Sequence, residues 1–222
     1  MLDSSSTTRT RATTLSSPDR TGTIPHVQRE GRRRPLDEEA RENVSAFEQG
    51  DALLVVDVLD TFDHDDAEAL LASFRVRGAA IGRAIATARE AGVPVIYVND
   101  DRDRWDSDAP QLAREAADGP GGDVIRELLP REGDHVLLKH RYSAFDHTAL
   151  ELLLEAKRAE RVLIAGAATE GCVVQTALDA REHGLKATIL ADACATTDAE
   201  LEETALRYAE DVGGVRVERA SG

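Results

Sequence analysis

From Asp51 onward, short apolar runs alternate with longer stretches in which apolar and charged residues mix. Such alternation is the signature of strands separated by helices in a parallel sheet. Ala52-Leu-Leu-Val-Val-Asp57 predicts a buried first strand that ends in a carboxylate. A helical stretch over 78–90 stops at Ala91-Gly92, and Val95-Ile-Tyr-Val98 predicts the second strand. Residues 99–110 are polar and predict a loop, followed by a helical piece from Gln111 and a Gly-rich connection over 118–122 that could close over a site. His135-Val-Leu-Leu-Lys139 predicts a third strand ending in lysine, with a helix over 148–158 behind it. Arg161-Val-Leu-Ile-Ala-Gly166 predicts a fourth strand that feeds a tight turn and a helix running to His183. A fifth strand over 186–191, a helix over 198–211 capped by Asp198 and a short sixth strand over 215–218 complete the pattern. No internal repeat interrupts it.

Residues 1–49 differ from the rest. They are rich in Ser, Thr and Arg and almost free of apolar periodicity, so they cannot bury enough surface to offset chain entropy. A mostly disordered tail over 1–49 and one domain over 50–222 are expected, with 36–49 able to form a short helix leading in. Arg32-Arg33-Arg34 invites a nucleic-acid reading, but eight arginines meet eight acids in this segment. The formal net charge of −15, from 42 acidic and 27 basic residues, therefore falls on the domain and argues against nucleic acid or an anionic membrane surface as partner. Only Lys139, Lys157 and Lys186 are lysines, a surface of the kind found in salt-adapted cytoplasms. No apolar run approaches the length of a membrane span, and the first residues have no signal-peptide core, so a cytoplasmic location is expected. Two cysteines are too few for a disulfide framework and sit in no zinc-type cluster.

The chemistry converges on strand ends. In an open parallel sheet ligands bind beyond the carboxyl ends of the strands, where Asp57, Lys139 and Cys172 all lie. A base, a cation and a nucleophile are what thiol catalysis needs. Cys172 in Ala165-Gly-Ala-Ala-Thr-Glu-Gly-Cys172-Val-Val-Gln-Thr176 is expected in the first turn of a helix, where unpaired backbone NH groups and the macrodipole favour thiolate. A cysteine in an apolar helix can equally be a small buried hydrophobe.

These segments, from Asp51 to about Val217, resemble the isochorismatase-like cysteine hydrolases. Ala52-Leu-Leu-Val-Val-Asp57-Val-Leu-Asp-Thr-Phe62 is similar to the family's first strand with its catalytic aspartate. Val136-Leu-Leu-Lys139-His-Arg-Tyr-Ser-Ala-Phe145 is similar to its lysine strand, Gly166 to Thr176 to its cysteine turn, and Ala191-Asp-Ala-Cys194-Ala to the end of its fifth strand. The resemblance implies a three-layer α/β/α fold with a six-stranded parallel sheet and a triad of Asp57, Lys139 and Cys172. It further implies a cis peptide between Ala167 and Ala168, with the NH groups of Ala168 and Cys172 aimed at a developing oxyanion. The implied reaction forms a thioester at Cys172, releases an amine and hydrolyses the thioester, with Asp57 as base in both halves. Homo-oligomers, dimers or tetramers, are also implied.

Departures from the family pattern narrow the reading. The metal-binding Asp-x-His of nicotinamidases is replaced by Asn99-Asp-Asp-Arg-Asp-Arg-Trp105, so neither a metal nor another cofactor, and no nicotinamidase activity, is expected. Leu59 stands where a glutamine is frequent, removing a polar contact to substrate. Siderophore-type isochorismatases, which hydrolyse a vinyl ether, work without the cysteine; its presence here favours a small amide C–N bond. A vinyl-ether hydrolase, or an idle member kept as an assembly or redox-responsive thiol protein, are the other readings. Phe62, Trp105 and Tyr142 are candidates for an aromatic lining around a small flat substrate, with core packing the alternative for Phe62 and Phe145. Cys194 is expected to pack in the core. The histidines show no ligand spacing, and strand alternation turns His140 away from the Lys139 side.

Overall fold

The computed structural model describes residues 46–101, 104, 106 and 108–220. Of the tail expected over 1–49, the first 45 residues lie outside the described residues, as does the candidate Trp105. Six strands, β1 (Asp51–Val56), β2 (Val95–Asp100), β3 (His135–Lys139), β4 (Arg161–Gly166), β5 (Lys186–Cys194) and β6 (Arg216–Glu218), form one parallel sheet. Six helices connect them: α1 (Ala67–Glu90), α2 (Ala109–Asp118), α3 (Gly122–Leu128), α4 (Leu150–Lys157), α5 (Val174–Glu182) and α6 (Ala199–Asp211).

The spatial order is β3-β2-β1-β4-β5-β6. The chain thus builds outward from β1 in one direction, returns, and builds outward in the other. The point of reversal between β1 and β4 leaves a crevice at the carboxyl ends of the two strands, because their following segments diverge to opposite faces. Both faces of the sheet are covered, which is why the strands read as continuous apolar runs. Leu53 and Val55 face one core with Leu70, Phe74, Ile81, Leu112 and Ile125 of α1 to α3. Ala52, Leu54 and Val56 face the other with Leu150, Leu154, Val174, Ala177 and Leu206 of α4 to α6. Leu53, Leu54, Val55 and Val56 have no exposed surface, and each contributes about 1.5–3 kcal/mol of transfer free energy.

The β3 and β4 bounds match the expectation from sequence, and α6 is capped as expected by Asp198, whose carboxylate accepts from the NH groups of Glu200 and Leu201. Two helices differ. The α1 helix begins at Ala67 rather than Gly78, and buries Leu70 and Phe74 in its first two turns. Gly78 lies within it as a close-approach site, not as a breaker: a Cβ there would sit 2.5 Å from Val124 Cγ1 on α3. The expected Gly-rich connection is shorter than 118–122, because α3 starts at Gly122. Strand β5 runs three residues further than expected, to Cys194. Among the described residues no helix is long and apolar enough to cross a membrane.

Candidate active site

Asp57 follows β1 with φ of 48°, a left-handed conformation that turns the chain off the sheet at the crevice. The segment beyond it is clipped to β2 by the buried Asn99, whose Oδ1 accepts from Leu59 NH at 2.8 Å while Nδ2 donates to the Leu59 carbonyl at 3.3 Å. One Asp57 carboxylate oxygen accepts from the Asp100 NH at 2.6 Å. The other lies 2.8 Å from Lys139 Nζ. That ammonium is fully buried at the end of β3, and it also donates to the Arg141 carbonyl at 2.9 Å and reaches Cys172 Sγ at 3.4 Å. Asp57 after β1, Lys139 at the end of β3 and Cys172 in the turn after β4 therefore meet around one point.

Cys172 does not open a regular helix. It sits in a wide turn, Thr169–Val173, in which Gly171 departs from helical conformation (φ −117°, ψ −107°), and α5 begins only at Val174. The turn is held from behind. Ala167 NH donates to the Val56 carbonyl at 2.8 Å, and Thr169 NH to the Ala195 carbonyl at 2.9 Å. Thr169 Oγ1 lies 3.0 Å from the carboxylate of Glu202, which in turn holds Arg77 of α1. Glu170 accepts from the hydroxyls of Thr196 and Thr197 and from the Thr197 NH. Gly166 is required at the strand end: its φ is +127°, and a Cβ would come within 1.9 Å of the Val56 carbonyl oxygen. The Ala167–Ala168 peptide is cis. Among the described residues, the Ala168 NH meets no acceptor.

The electrostatics reverse one expectation. Burial, reinforced by the Asp57 carboxylate, pushes the Cys172 thiol up to about 12 despite the Lys139 ammonium. A helix N-terminus contributes about 0.3–1 kcal/mol, under one pKa unit, whereas burial moves a group by up to about 3–5 units. The resting sulfur is thus a protonated thiol, hydrogen-bonded to Asp57. Burial also raises the Asp57 carboxyl above the usual carboxylate range, against the opposing pull of Lys139. Burial acts to lower the Lys139 ammonium, but the neighbouring carboxylates, Asp57 first and then Asp100, outweigh it and hold the pKa above the ordinary lysine value. The arrangement at rest is an Asp57–Lys139 ion pair with a neutral thiol beside it.

These groups line a cavity of about 810 Å³ together with Ala167, Ala168, Tyr142 and Thr197. Among the described residues no group of three or more His, Cys, Asp or Glu side chains is arranged to hold a metal ion.

The isochorismatase domain model matches residues 51–221. The chain belongs to the isochorismatase family. It is 33% identical over 161 residues to an uncharacterized isochorismatase family protein, YaaI, of Bacillus subtilis, covering 72% of this chain and 89% of the relative. It is 30% identical over 184 residues to the ureidoacrylate amidohydrolase RutB of Yersinia enterocolitica, covering 71% and 80%. Among solved structures, N-carbamoylsarcosine amidase from Thermoplasma acidophilum superposes with a TM-score of 0.59 at 30% identity, over 78% of this chain and 97% of that one.

Within this isochorismatase-family crevice, Tyr142 lines the cavity and is 70% exposed. Phe62 does not line it. Its ring packs edge-on against Phe74 at 5.6 Å in the core, because the turn after β1 points it under α1 rather than toward the crevice. Phe145 is core as well, stacked on His183, and Cys194 is buried as expected. His140 lines the cavity, contrary to the alternation argument: β3 ends at Lys139, so its two-residue period no longer applies one residue later. It is paired with the buried Asp101 at 2.7 Å. Sequence reasoning also missed Asn99 and the acids Asp60, Asp63 and Asp66, which line the cavity between β1 and α1. A buried polar residue at a strand end was the available signal for Asn99; the acids lie in the loop between β1 and α1, where no strand or helix pattern assigns them a face.

Proposed function

We propose that this chain is a cysteine hydrolase that cleaves an amide-type C–N bond of a small molecule through a thioester at Cys172. The observation that carries the reading is the single cavity in which Lys139 Nζ lies 2.8 Å from Asp57 and 3.4 Å from the Cys172 sulfur. In the first half, Asp57 accepts the thiol proton as the sulfur attacks the carbonyl carbon. A carboxyl whose pKa is raised by burial is a better base than a free one. The tetrahedral oxyanion accepts from the NH groups of Ala168 and Cys172, each such donor contributing about 10²–10³ in rate. Asp57 then passes its proton to the departing nitrogen, and the amine leaves. In the second half Asp57 deprotonates water, which attacks the thioester, and the released sulfur regains a proton. Lys139 stays charged throughout and stabilises the anionic forms of both partners. Tyr142, which lines the cavity, would contact a bound substrate.

The thiol's two-sided contact favours acyl transfer over vinyl-ether hydrolysis, which needs a proton donor and no nucleophile. Amide chemistry also agrees with the names of the amidohydrolase and amidase relatives. The test is intact-protein mass spectrometry after incubation with a panel of small carboxamides and ureas. A trapped acyl adduct on Cys172, with turnover abolished in Cys172→Ala whose circular dichroism is unchanged, is the expected result. Turnover that persists in a folded Cys172→Ala protein would overturn the mechanism.

A further inference from the structure

Pairing between β1 and β2 ends at Val56 opposite Val98, and the chain leaves the sheet at Asp57 while β2 runs on to Asp100. Three successive residues of that overhang hold the departing segment. The Val98 carbonyl accepts from the Asp57 NH at 3.1 Å, Asn99 grips Leu59 at both its NH and its carbonyl, and the Asp100 NH donates to the Asp57 carboxylate at 2.6 Å. Val98 and Asp100 act through backbone groups; of the three, Asn99 alone acts through its side chain. It is 3% exposed, and the alternation of β2 puts it on the α1 face, where Tyr97 and Leu59 belong to the apolar core. Asn99 Nδ2 donates to the carbonyls of Leu59 and Asp100, at 3.3 and 3.2 Å, while Oδ1 accepts from the Leu59 NH at 2.8 Å. A flipped amide would set its oxygen against two carbonyls, so the network fixes its orientation. Both amide hydrogens are thus engaged by backbone and not offered to a substrate, although Asn99 lines the cavity. Leucine, of similar volume, would pack in this layer without the desolvation that a buried amide costs. What the amide adds is a fixed place for the residue two positions beyond Asp57.

We propose that Asn99 is a positioning residue of the reaction centre: by pinning Leu59 to the end of β2, it holds Asp57 in the backbone conformation that brings its carboxylate onto Lys139 and Cys172. The proposal rests on the reading of Asp57 as the proton partner of the Cys172 thiol. Asp57 has a φ of 48°, which a residue other than glycine keeps only where its surroundings impose it. Its own NH is tied to Val98 on one side, and Asn99 supplies the tie on the other. Slack at Leu59 lets the carboxylate draw back from the sulfur, while Lys139, fixed to β3 and to the Arg141 carbonyl, stays 3.4 Å from it with Asp100 3.9 Å behind.

The test needs no known substrate. Iodoacetamide, which is uncharged, is reacted with the full chain near pH ~8: the Cys172 sulfur bonds to the reagent's methylene carbon, iodide leaves with the electron pair of the broken C–I bond, and the thiol proton passes to solvent. Peptide mass follows Cys172 and Cys194 separately, and the fully buried Cys194 reports any opening of the fold. Asp57→Asn removes the carboxylate that disfavours the thiolate, so Cys172 should label faster. One pKa unit gives about 10-fold more thiolate of about one-third the nucleophilicity, so the expected gain is about 3-fold or more. Asn99→Leu should shift the rate in the same direction. The double variant should label no faster than Asp57→Asn alone, because a residue that acts through Asp57 then has nothing left to position. Tyr97→Phe, which removes a buried hydrogen bond to the Leu128 carbonyl from the same strand, should leave the Cys172 rate unchanged. If Asn99→Leu fails to fold by circular dichroism, Asn99→Ser carries the same comparison: the smaller polar side chain admits a water to the Leu59 groups but does not hold them in register. An unchanged Cys172 rate in the folded Asn99 variant, an effect that multiplies with that of Asp57→Asn, or Cys194 labelling that rises in step overturns the positioning role. An unchanged rate in Asp57→Asn overturns the coupling of Asp57 to Cys172, and both readings with it.

Discussion

Arg77→Met tests whether the nucleophile turn is braced from the far side of the sheet. The guanidinium of Arg77 forms a fork with Glu202, Nη1 to Oε1 at 2.6 Å and Nη2 to Oε2 at 2.8 Å, and Nη1 also donates to the carbonyls of Ala191 and Cys194. The two side chains are 15% and 9% exposed. Truncating one partner leaves the other charge buried and unpaired, which costs about 3–5 kcal/mol in such sites; the residual exposure places the expectation near the lower end, about 3 kcal/mol. A folded unit of this size loses roughly 2–4 °C per kcal/mol, so the midpoint should fall by about 6–12 °C in calorimetry. Urea unfolding of Arg77→Met, Glu202→Leu and the double variant completes the cycle. Because each single change orphans a charge and the double change orphans none, the double variant should be less destabilised than the sum by about 2 kcal/mol. Since Glu202 also accepts from Thr169 Oγ1 at the start of the cysteine turn, turnover by the folded Arg77→Met protein should fall as well. Strict additivity, or a loss below 1 kcal/mol, would refute the argument.

Lys139→Met leaves Asp57 buried without its cation, so its pKa rises further. Activity on any substrate that acylates Cys172 should drop by about 10²-fold or more, and the acid limb of the pH–rate profile should move to higher pH. Alkaline stability follows from the thiols: both are raised by burial, Cys172 to about 12, whereas unfolded thiols deprotonate near pH ~8.5. Above that pH the folded chain holds more protons than the unfolded one, so stability falls as pH rises, by about 1.4 kcal/mol per unit for each thiol. Urea titrations in reductant between pH 9 and 10 should show a shallower slope in Cys172→Ala, and an unchanged slope would contradict the buried neutral thiol. Gly166→Ala should fail to fold or lose more than about 4 kcal/mol by circular dichroism melts. Gly184→Ala, at φ of +80° with nothing within 4 Å, should lose only about 1–2 kcal/mol.

How far the sequence carried depended on what kind of signal each residue left. The strands were legible because burial on both faces writes continuous apolar runs, and Lys139 and Asp57 were legible because each ends such a run. The helices on the first face were less so. Gly78 lies inside α1 rather than at its start, and the approach of Val124 explains only why that position is a glycine. Strand order, and with it the crevice between β1 and β4, is a property of non-local pairing that no local window contains. The placement of Phe62 against Phe74, and of His140 in the cavity, turned on chain direction after a strand ends, where periodicity has no hold. The thiol was misjudged for a different reason: its position near a helix start is written in the sequence, but its burial beside Asp57 is not, and burial is the larger effect.

The buried ammonium belongs to β3, an edge strand that pairs only with β2 and whose first four residues are half-buried. Edge elements with few partners open locally at lower free energy than the centre of a sheet. Opening of β3 would carry Lys139 away while Asp57 and the cysteine turn stay docked on the central strands. Catalytic competence would then vanish in denaturant before the fold does, and amides of residues 135–139 would exchange with solvent ahead of those in β1 and β4.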